Sequence, residues 1–243
     1  MIMPWYGQEG FDLRFEWGLE GAKRLSSGVD ISIIVDVLSF STCVDIAVGR
    51  SARVYPFLFK DGRAIKYAKE IGGVCAKTER SKTHLCLSPR TLLGLEPGTN
   101  LVLPSPNGST IAFSIKSGKI LCGCLRNSTA VAAKASTLGQ RILLIAAGER
   151  WPDGSLRPAL EDIIGAGAIL ARLPGTRSPE AQWAIRTFED AKTNLLSIIR
   201  DCASGRELIE RGFPEDVEDA AEFDVSANVS ILRDKCFVAE AHQ

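Results

Sequence analysis

The sequence predicts an α/β fold: a mainly parallel β-sheet layered with helices on both faces. Three observations predict it. Short β-branched runs such as Ile31-Ser-Ile-Ile-Val35 alternate along the chain with helical patterns. Each run ends in a polar turn that opens a helix, the order that sets successive strands parallel. The central runs are apolar but for Ser32, as strands buried on both faces are. The 243 residues suit a single α/β domain over 1–243, and the recurring strand–turn–helix unit allows two similar, intertwined halves.

The elements follow in order. Ile31–Val35 is a strand, and Cys43–Val48 belongs to the next helix, stopped at Gly49. Arg53–Phe59 is a second strand, Lys60-Asp-Gly62 a turn, and Arg63–Ile71 a helix with Ala64, Ile65, Ala68 and Ile71 on one face. Val74–Lys77 is a short strand, and residues 78–100 are loop-rich, broken at Ser88-Pro89 and Pro97-Gly98. Leu101–Leu103, Ile120–Cys124 and Arg141–Ala147 are strands, followed by helices from Ile111, from Ala130 and over Pro158–Leu173. Trp151–Arg157 reads as a loop. Ser178-Pro179-Glu180 is a cap, first turn and acidic start for one long helix over 179–203. Gly205–Arg211 and Pro214–Ala221 are short helices, and Val229–Leu232 and Cys236–Ala239 closing strands.

Composition removes several functions. Lys plus Arg is 29 and Asp plus Glu is 29, so there is no basic excess to hold nucleic acid. No apolar run approaches the roughly 20 residues that span a bilayer. The amino-terminal segment has no basic stretch followed by an apolar core. Seven scattered cysteines, an odd number, argue against a disulfide framework and for a reducing, cytoplasmic setting. A small-molecule partner is expected, with no nucleic acid and no membrane, and a homodimer is an assembly the sequence allows. Phosphate loops, paired Cys-x-x-Cys motifs and nucleophile elbows are absent, and the only histidines are His84 and His242.

In parallel α/β sheets ligands bind beyond the carboxyl ends of strands. Four turns there are rich in polar groups. Asp36-Val-Leu-Ser-Phe-Ser41-Thr42 offers a carboxylate for a hard cation, and hydroxyls for an anion or for an ordinary helix cap. Pro104-Ser-Pro-Asn107-Gly108-Ser109-Thr110 offers a nest of amides and side-chain donors, or an Asx-type turn. Arg126-Asn127 places an arginine where it could clamp an oxyanion. Glu149, Arg150, Glu161 and Asp162 flank the Trp-Pro-Asp-Gly loop, although Glu161 and Asp162 also suit a helix's first turn. Carboxylates for a hard metal, with Arg, Ser, Thr and Asn for oxyanions, suit Mg²⁺-assisted phosphoryl chemistry.

Taken in sequence, Val35-Asp-Val-Leu-Ser-Phe-Ser-Thr42, Pro106-Asn-Gly-Ser-Thr110, Leu125-Arg-Asn127, Ala147-Gly-Glu149, Glu161-Asp-Ile-Ile-Gly-Ala-Gly167 and Asp216-Val217…Ala220…Asp224 resemble the 2-phosphosulfolactate phosphatase family over about residues 30–230. Ser39 stands where the family's first motif usually reads arginine, Phe40 replaces a small residue, and Glu79-Arg80 resembles the family's Gly-Glu-Arg. The resemblance implies a Mg²⁺-dependent α/β phosphatase acting on a small phosphorylated hydroxy acid. It implies Asp36, Glu161 and Asp162 as metal ligands. Ser41, Thr42, Asn107, Gly108, Ser109, Thr110 and Asn127 would then bind substrate, and Glu149 would orient the attacking water. Asp36, Arg126 and Arg150 complete the expected catalytic set, the arginines compensating for Ser39. The alternative is a catalytically impaired module that binds a phosphorylated metabolite.

Overall fold

The computed structural model describes residues 5–58 and 62–240. In chain order the elements are β1 (Leu13–Trp17), α1 (Gly18–Leu25), β2 (Ile31–Val35), α2 (Phe40–Gly49), β3 (Arg53–Phe57), α3 (Gly62–Glu70), β4 (Val74–Cys75) and the single turn α4 (Pro89–Leu92). They continue with β5 (Asn100–Pro104), α5 (Gly108–Ser114), β6 (Lys119–Gly123), α6 (Ser128–Leu138), β7 (Ile142–Ala146), β8 (Glu149–Arg150), β9 (Leu156–Arg157) and α7 (Leu160–Leu170). The remainder is α8 (Pro179–Ala191), α9 (Leu195–Asp201), α10 (Ala203–Glu210), α11 (Pro214–Ala221), β10 (Ser230–Arg233) and β11 (Cys236–Ala239).

The expected α/β sheet is present, and every strand read from the sequence has a counterpart. Phe59 and most of the Lys60–Gly62 turn lie outside the described residues, as does His242. Three differences have local causes. β1 and α1 were not expected, although Leu13-Arg-Phe-Glu-Trp17 alternates apolar and polar as an edge strand does. Residues 151–157 are not only loop: Glu149 and Arg150 pair with Arg157 and Leu156 in a small hairpin. The long helix expected over 179–203 is interrupted by a 3₁₀ turn at Lys192–Asn194, where Asn194 leaves helical geometry with φ −136° and ψ 32°.

One sheet of nine strands runs in the order β1-β7-β2-β6-β10-β11-β3-β5-β4. β1, β7, β2 and β6 are mutually parallel, as are β3, β5 and β4. The hairpin β10–β11 joins the two blocks through antiparallel pairs on both sides. Through the ladder, the blocks therefore run in opposite senses. Five inter-strand steps separate β2 from β5, and at roughly 20–25° of twist per step they accumulate on the order of 100°. That rotation turns the carboxyl ends of the two blocks toward a common crevice.

β2 and β7 are buried along their whole length, which is why both are apolar apart from the buried Ser32 of β2. Alternate residues serve opposite layers. Ile31, Ile33 and Val35 pack with α6, α7 and α8, and Ile34 packs with α2 around Phe40 and Val44. On the other block Leu101 and Leu103 join the α2 side, while Val102 faces Ala64 and Ala68 of α3.

The small residues of α7 work on two fronts. A Cβ at Gly165 would lie 2.7 Å from the Val37 side chain, and one at Gly167 would lie 2.0 Å from the Ala184 carbonyl oxygen of α8. The second obstacle is backbone and cannot swing aside. Gly167→Ala is expected to cost about 1–3 kcal/mol, read as a lower urea midpoint with an unchanged slope. An unaltered midpoint would show that α7 and α8 are free to separate.

Candidate active site

The site starts from Asp36, the residue after β2. Its carboxylate is 6% exposed and accepts two backbone N–H groups. The Phe40 N–H, at the start of α2, donates to Oδ1 at 3.2 Å, and the Gly108 N–H, at the start of α5, donates to Oδ2 at 3.1 Å. Asp36 thus lies where the amino ends of two helices converge, a location that favours negative charge. The α5 helix can come this close because Gly108 has no side chain: a Cβ there would meet the Phe40 ring at 2.2 Å.

Asp162, in the first turn of α7, closes the neighbouring corner. Its Oδ1 accepts from the Val37 N–H at 2.7 Å and its Oδ2 from the Gly148 N–H at 2.8 Å. Gly148 makes that turn at φ +65°, a conformation suited to glycine. The adjacent Glu161 is 2% exposed, and its Oε2 accepts the Cys202 S–H at 3.3 Å. Glu149 accepts from Asn107 Nδ2 at 3.1 Å.

Burial, and then neighbouring charge, pushes three of these acids toward the protonated form. Burial raises Asp36 to about 6, with the Glu161 charge adding to it. Burial raises Glu149 to about 7, helped by Asp36 and Glu161. Asp162 is driven far above the carboxylate range by burial, then by Glu161 and Asp36.

Asp36, Asn107 and Glu149 open onto a cleft of about 190 Å³, whose other walls include Ser39, Thr78, Arg80, Ser105, Ser204, Glu207 and Arg211. Arg80 supplies the fixed cation. It is paired with the buried Asp216, and its Nη2 donates to Ser39 Oγ at 3.1 Å. A guanidinium therefore does reach Ser39, brought in from the loop after β4. Asn107 and Glu149 also border a second hollow of about 270 Å³, lined by Thr110, Arg150 and Leu156.

The remaining expected residues are distributed as follows. Ser41 Oγ accepts from the Asp36 N–H at 2.7 Å, and Thr42 Oγ1 donates to the Val37 carbonyl at 2.8 Å, so both brace the Asp36 turn from within. Ser109 accepts from the Phe57 N–H, and Asn127 links the Cys124 N–H to the Asn228 carbonyl. Thr110 donates to the Pro106 carbonyl at 2.8 Å. Arg126 does not line the cleft: its Nε donates to Asp45 at 3.1 Å, and it also pairs with Glu222 and the Asp219 carbonyl. Arg150 donates to the Gly154 carbonyl within its own hairpin and borders only the second hollow. Sequence reasoning passed over Ser204, Glu207 and Arg211, and it included Ser105 in the Pro104–Thr110 turn without giving it a role. It noted Arg80 and Asp216 as motif residues without joining them.

Among the described residues no three His, Cys, Asp or Glu side chains are grouped to grip a metal ion directly. The donor chemistry nevertheless fits a hard cation. Asp36, Glu149, Glu161 and Asp162 offer oxygen, and a divalent ion would favour the ionised forms of Asp36, Glu149 and Asp162, which burial and then neighbouring charge oppose. Mg²⁺ keeps several waters and needs only one or two carboxylates.

A sheet-end cleft with clustered acids and a clamped arginine defines an α/β enzyme that handles small anionic molecules. The chain belongs to the 2-phosphosulpholactate phosphatase family, whose sequence profile matches residues 22–235. It is 30% identical over 210 residues to the 2-phosphosulfolactate phosphatase of Methanothermobacter thermautotrophicus, covering 85% of this chain and 88% of that one. It is 26% identical to proteins named "Probable 2-phosphosulfolactate phosphatase" from Thermotoga petrophila and Thermotoga maritima, over 218 and 212 residues, 85% of this chain and 91% of each relative. Among the described residues no helix is long and apolar enough to cross a membrane.

The raised Glu149 has a stability consequence. Its ordinary value is 4.5 and its folded value about 7, so between these the native state binds the extra proton. Its stabilising contribution is complete below about pH 4.5 and is lost as pH rises through about 7. In metal-free protein, Glu149→Gln is expected to add on the order of 2 kcal/mol at pH 8 and nothing at pH 4. Urea unfolding at the two pH values measures both. Equal stability of variant and wild type at pH 8 would contradict the strained carboxylate.

Proposed function

We propose that the chain is a cytoplasmic phosphoric monoester hydrolase that, with Mg²⁺, cleaves 2-phosphosulfolactate or a closely similar phosphorylated hydroxy acid. The observation that carries the reading is Asp36: a buried carboxylate held between two helix amino ends, opening onto a cleft that also holds Glu149, Asn107 and Arg80. The family and its named relatives supply the substrate class. They do not favour a non-catalytic binding module.

Asp36 and Glu161 are the residues that would hold Mg²⁺, with Asp162 adding charge. Bound there, the ion would neutralise phosphoryl oxygens and so lower the barrier to attack. The protein's own groups supply the rest. Asn107 and the amino end of α5 orient the ester. Glu149, poised near neutrality, receives the proton of the attacking water. Water adds to phosphorus, the ester P–O bond breaks, and the hydroxy acid and inorganic phosphate leave.

Three outcomes test this. Wild-type protein with Mg²⁺ should release phosphate from 2-phosphosulfolactate, and a chelator should stop it. Asp36→Asn should lower turnover on the order of 10²–10³-fold with its circular dichroism unchanged. The rate should climb with pH as Glu149 loses its proton, at a midpoint below its metal-free value of about 7 once Mg²⁺ is bound, and Glu149→Gln should flatten that limb. Turnover that ignores both substitutions would remove these carboxylates from the chemistry.

A further inference from the structure

Five buried side-chain polar atoms have no hydrogen-bond partner among the described residues. Ser105 Oγ is the one whose residue lines the cleft. Ser105 is 1% exposed. It lies between Pro104 and Pro106, whose rings restrict the backbone on either side, and its N–H donates to the Phe57 carbonyl at 3.3 Å. The hydroxyl is shielded from bulk water. Buried hydroxyls are normally satisfied, so a fixed donor without an acceptor, bordering a cleft, points to an acceptor carried by a ligand.

Arg80 borders the same cleft, with its side chain only 10% exposed. Asp216 pairs with one end of the guanidinium, Ser39 Oγ accepts from the other, and the Phe213 ring lies 5.7 Å away. Asp216 is itself fixed by the Ser88 O–H at 2.6 Å. The guanidinium is thus held in place before any ligand arrives. Asp216 also balances its charge, leaving directed donors with little net field. That combination suits a monoanion better than a phosphoryl dianion. A guanidinium and a hydroxyl both present hydrogen-bond donors, so these two groups are suited to holding an acid group.

We infer that Arg80 and the Ser105 hydroxyl form a subsite for the non-reacting acid group of the substrate, a carboxylate or sulfonate, with Asp216 as the positioning residue for Arg80. The inference rests on the hydrolase reading above and adds how the ester is selected.

The test compares two phosphate esters, 2-phospholactate with its carboxylate and p-nitrophenyl phosphate with no second acid group, and adds calorimetric binding of sulfolactate. Ser105→Ala and Arg80→Lys are each expected to lower the ratio of kcat/KM for phospholactate over p-nitrophenyl phosphate about tenfold, through KM. Each should weaken sulfolactate binding by a similar factor. Asp216→Asn should shift the same ratio, and Asp216→Glu should recover part of it. Ser105→Ala removes an unpartnered hydroxyl, so its melting temperature should not fall. An unchanged ratio overturns the subsite, whether both esters lose kcat together, which would put Ser105 at the reacting centre, or neither ester is affected, which would mean water fills the space. Sulfolactate binding that depends on Ser105, in a protein that hydrolyses neither of these esters nor 2-phosphosulfolactate, would sink the hydrolase reading and leave the subsite standing.

Discussion

The structure turns on two hydrogen bonds to one carboxylate. Asp36 belongs to the block β1-β7-β2-β6, and Gly108 to the block β3-β5-β4. Hydrogen bonding within the sheet sets these blocks in opposite senses, and its twist lets their carboxyl ends approach. The Gly108 N–H on Asp36 ties them together there, and the Phe40 N–H on the same carboxylate adds α2 to the junction. A buried charge is costly unless it is hydrogen-bonded, and the two helix amino ends supply the bonds and a favourable potential. The residue that unites the two halves of the sheet is thus also the one most exposed to the chemistry of the cleft.

Around that junction most polar side chains are scaffolding. Ser41, Thr42, Ser109, Asn127 and Asp162 fix the turns by bonding to backbone groups that would otherwise be buried without partners. Arg126, with Asp45 and Glu222, ties α2 to the chain after α11. Rigid turns let Asp36 and Glu149 keep carboxyl groups whose charges disfavour one another, and leave Asn107, Arg80 and Ser105 lining the space between.

The fold was largely legible because buried parallel strands leave an unmistakable trace. Ile31–Val35 and Arg141–Ala147 are apolar runs too short to be anything but strands in this context. The opposed blocks were not legible, since strand direction depends on partners distant in the chain. The position of the site followed from strand ends, but its composition did not. A serine that braces a turn and a serine that borders a cleft are the same letter, and only their hydrogen-bond partners separate Ser41 from Ser105. Ser105 stood within the Pro104–Thr110 turn with no role assigned to it. Arg80 and Asp216 are 136 positions apart, and no local pattern announces that they meet.

The β10–β11 hairpin has a consequence for the newborn chain. It fills the gap between β6 and β3, yet it is synthesised after every other strand. Until it emerges from the ribosome, β6 and β3 each present an unpaired edge, the kind of surface on which nascent chains stick to one another. Maturation of this protein is therefore a matter of inserting a final wedge between two waiting half-sheets. Shielding those edges during translation is a task its cellular surroundings must perform.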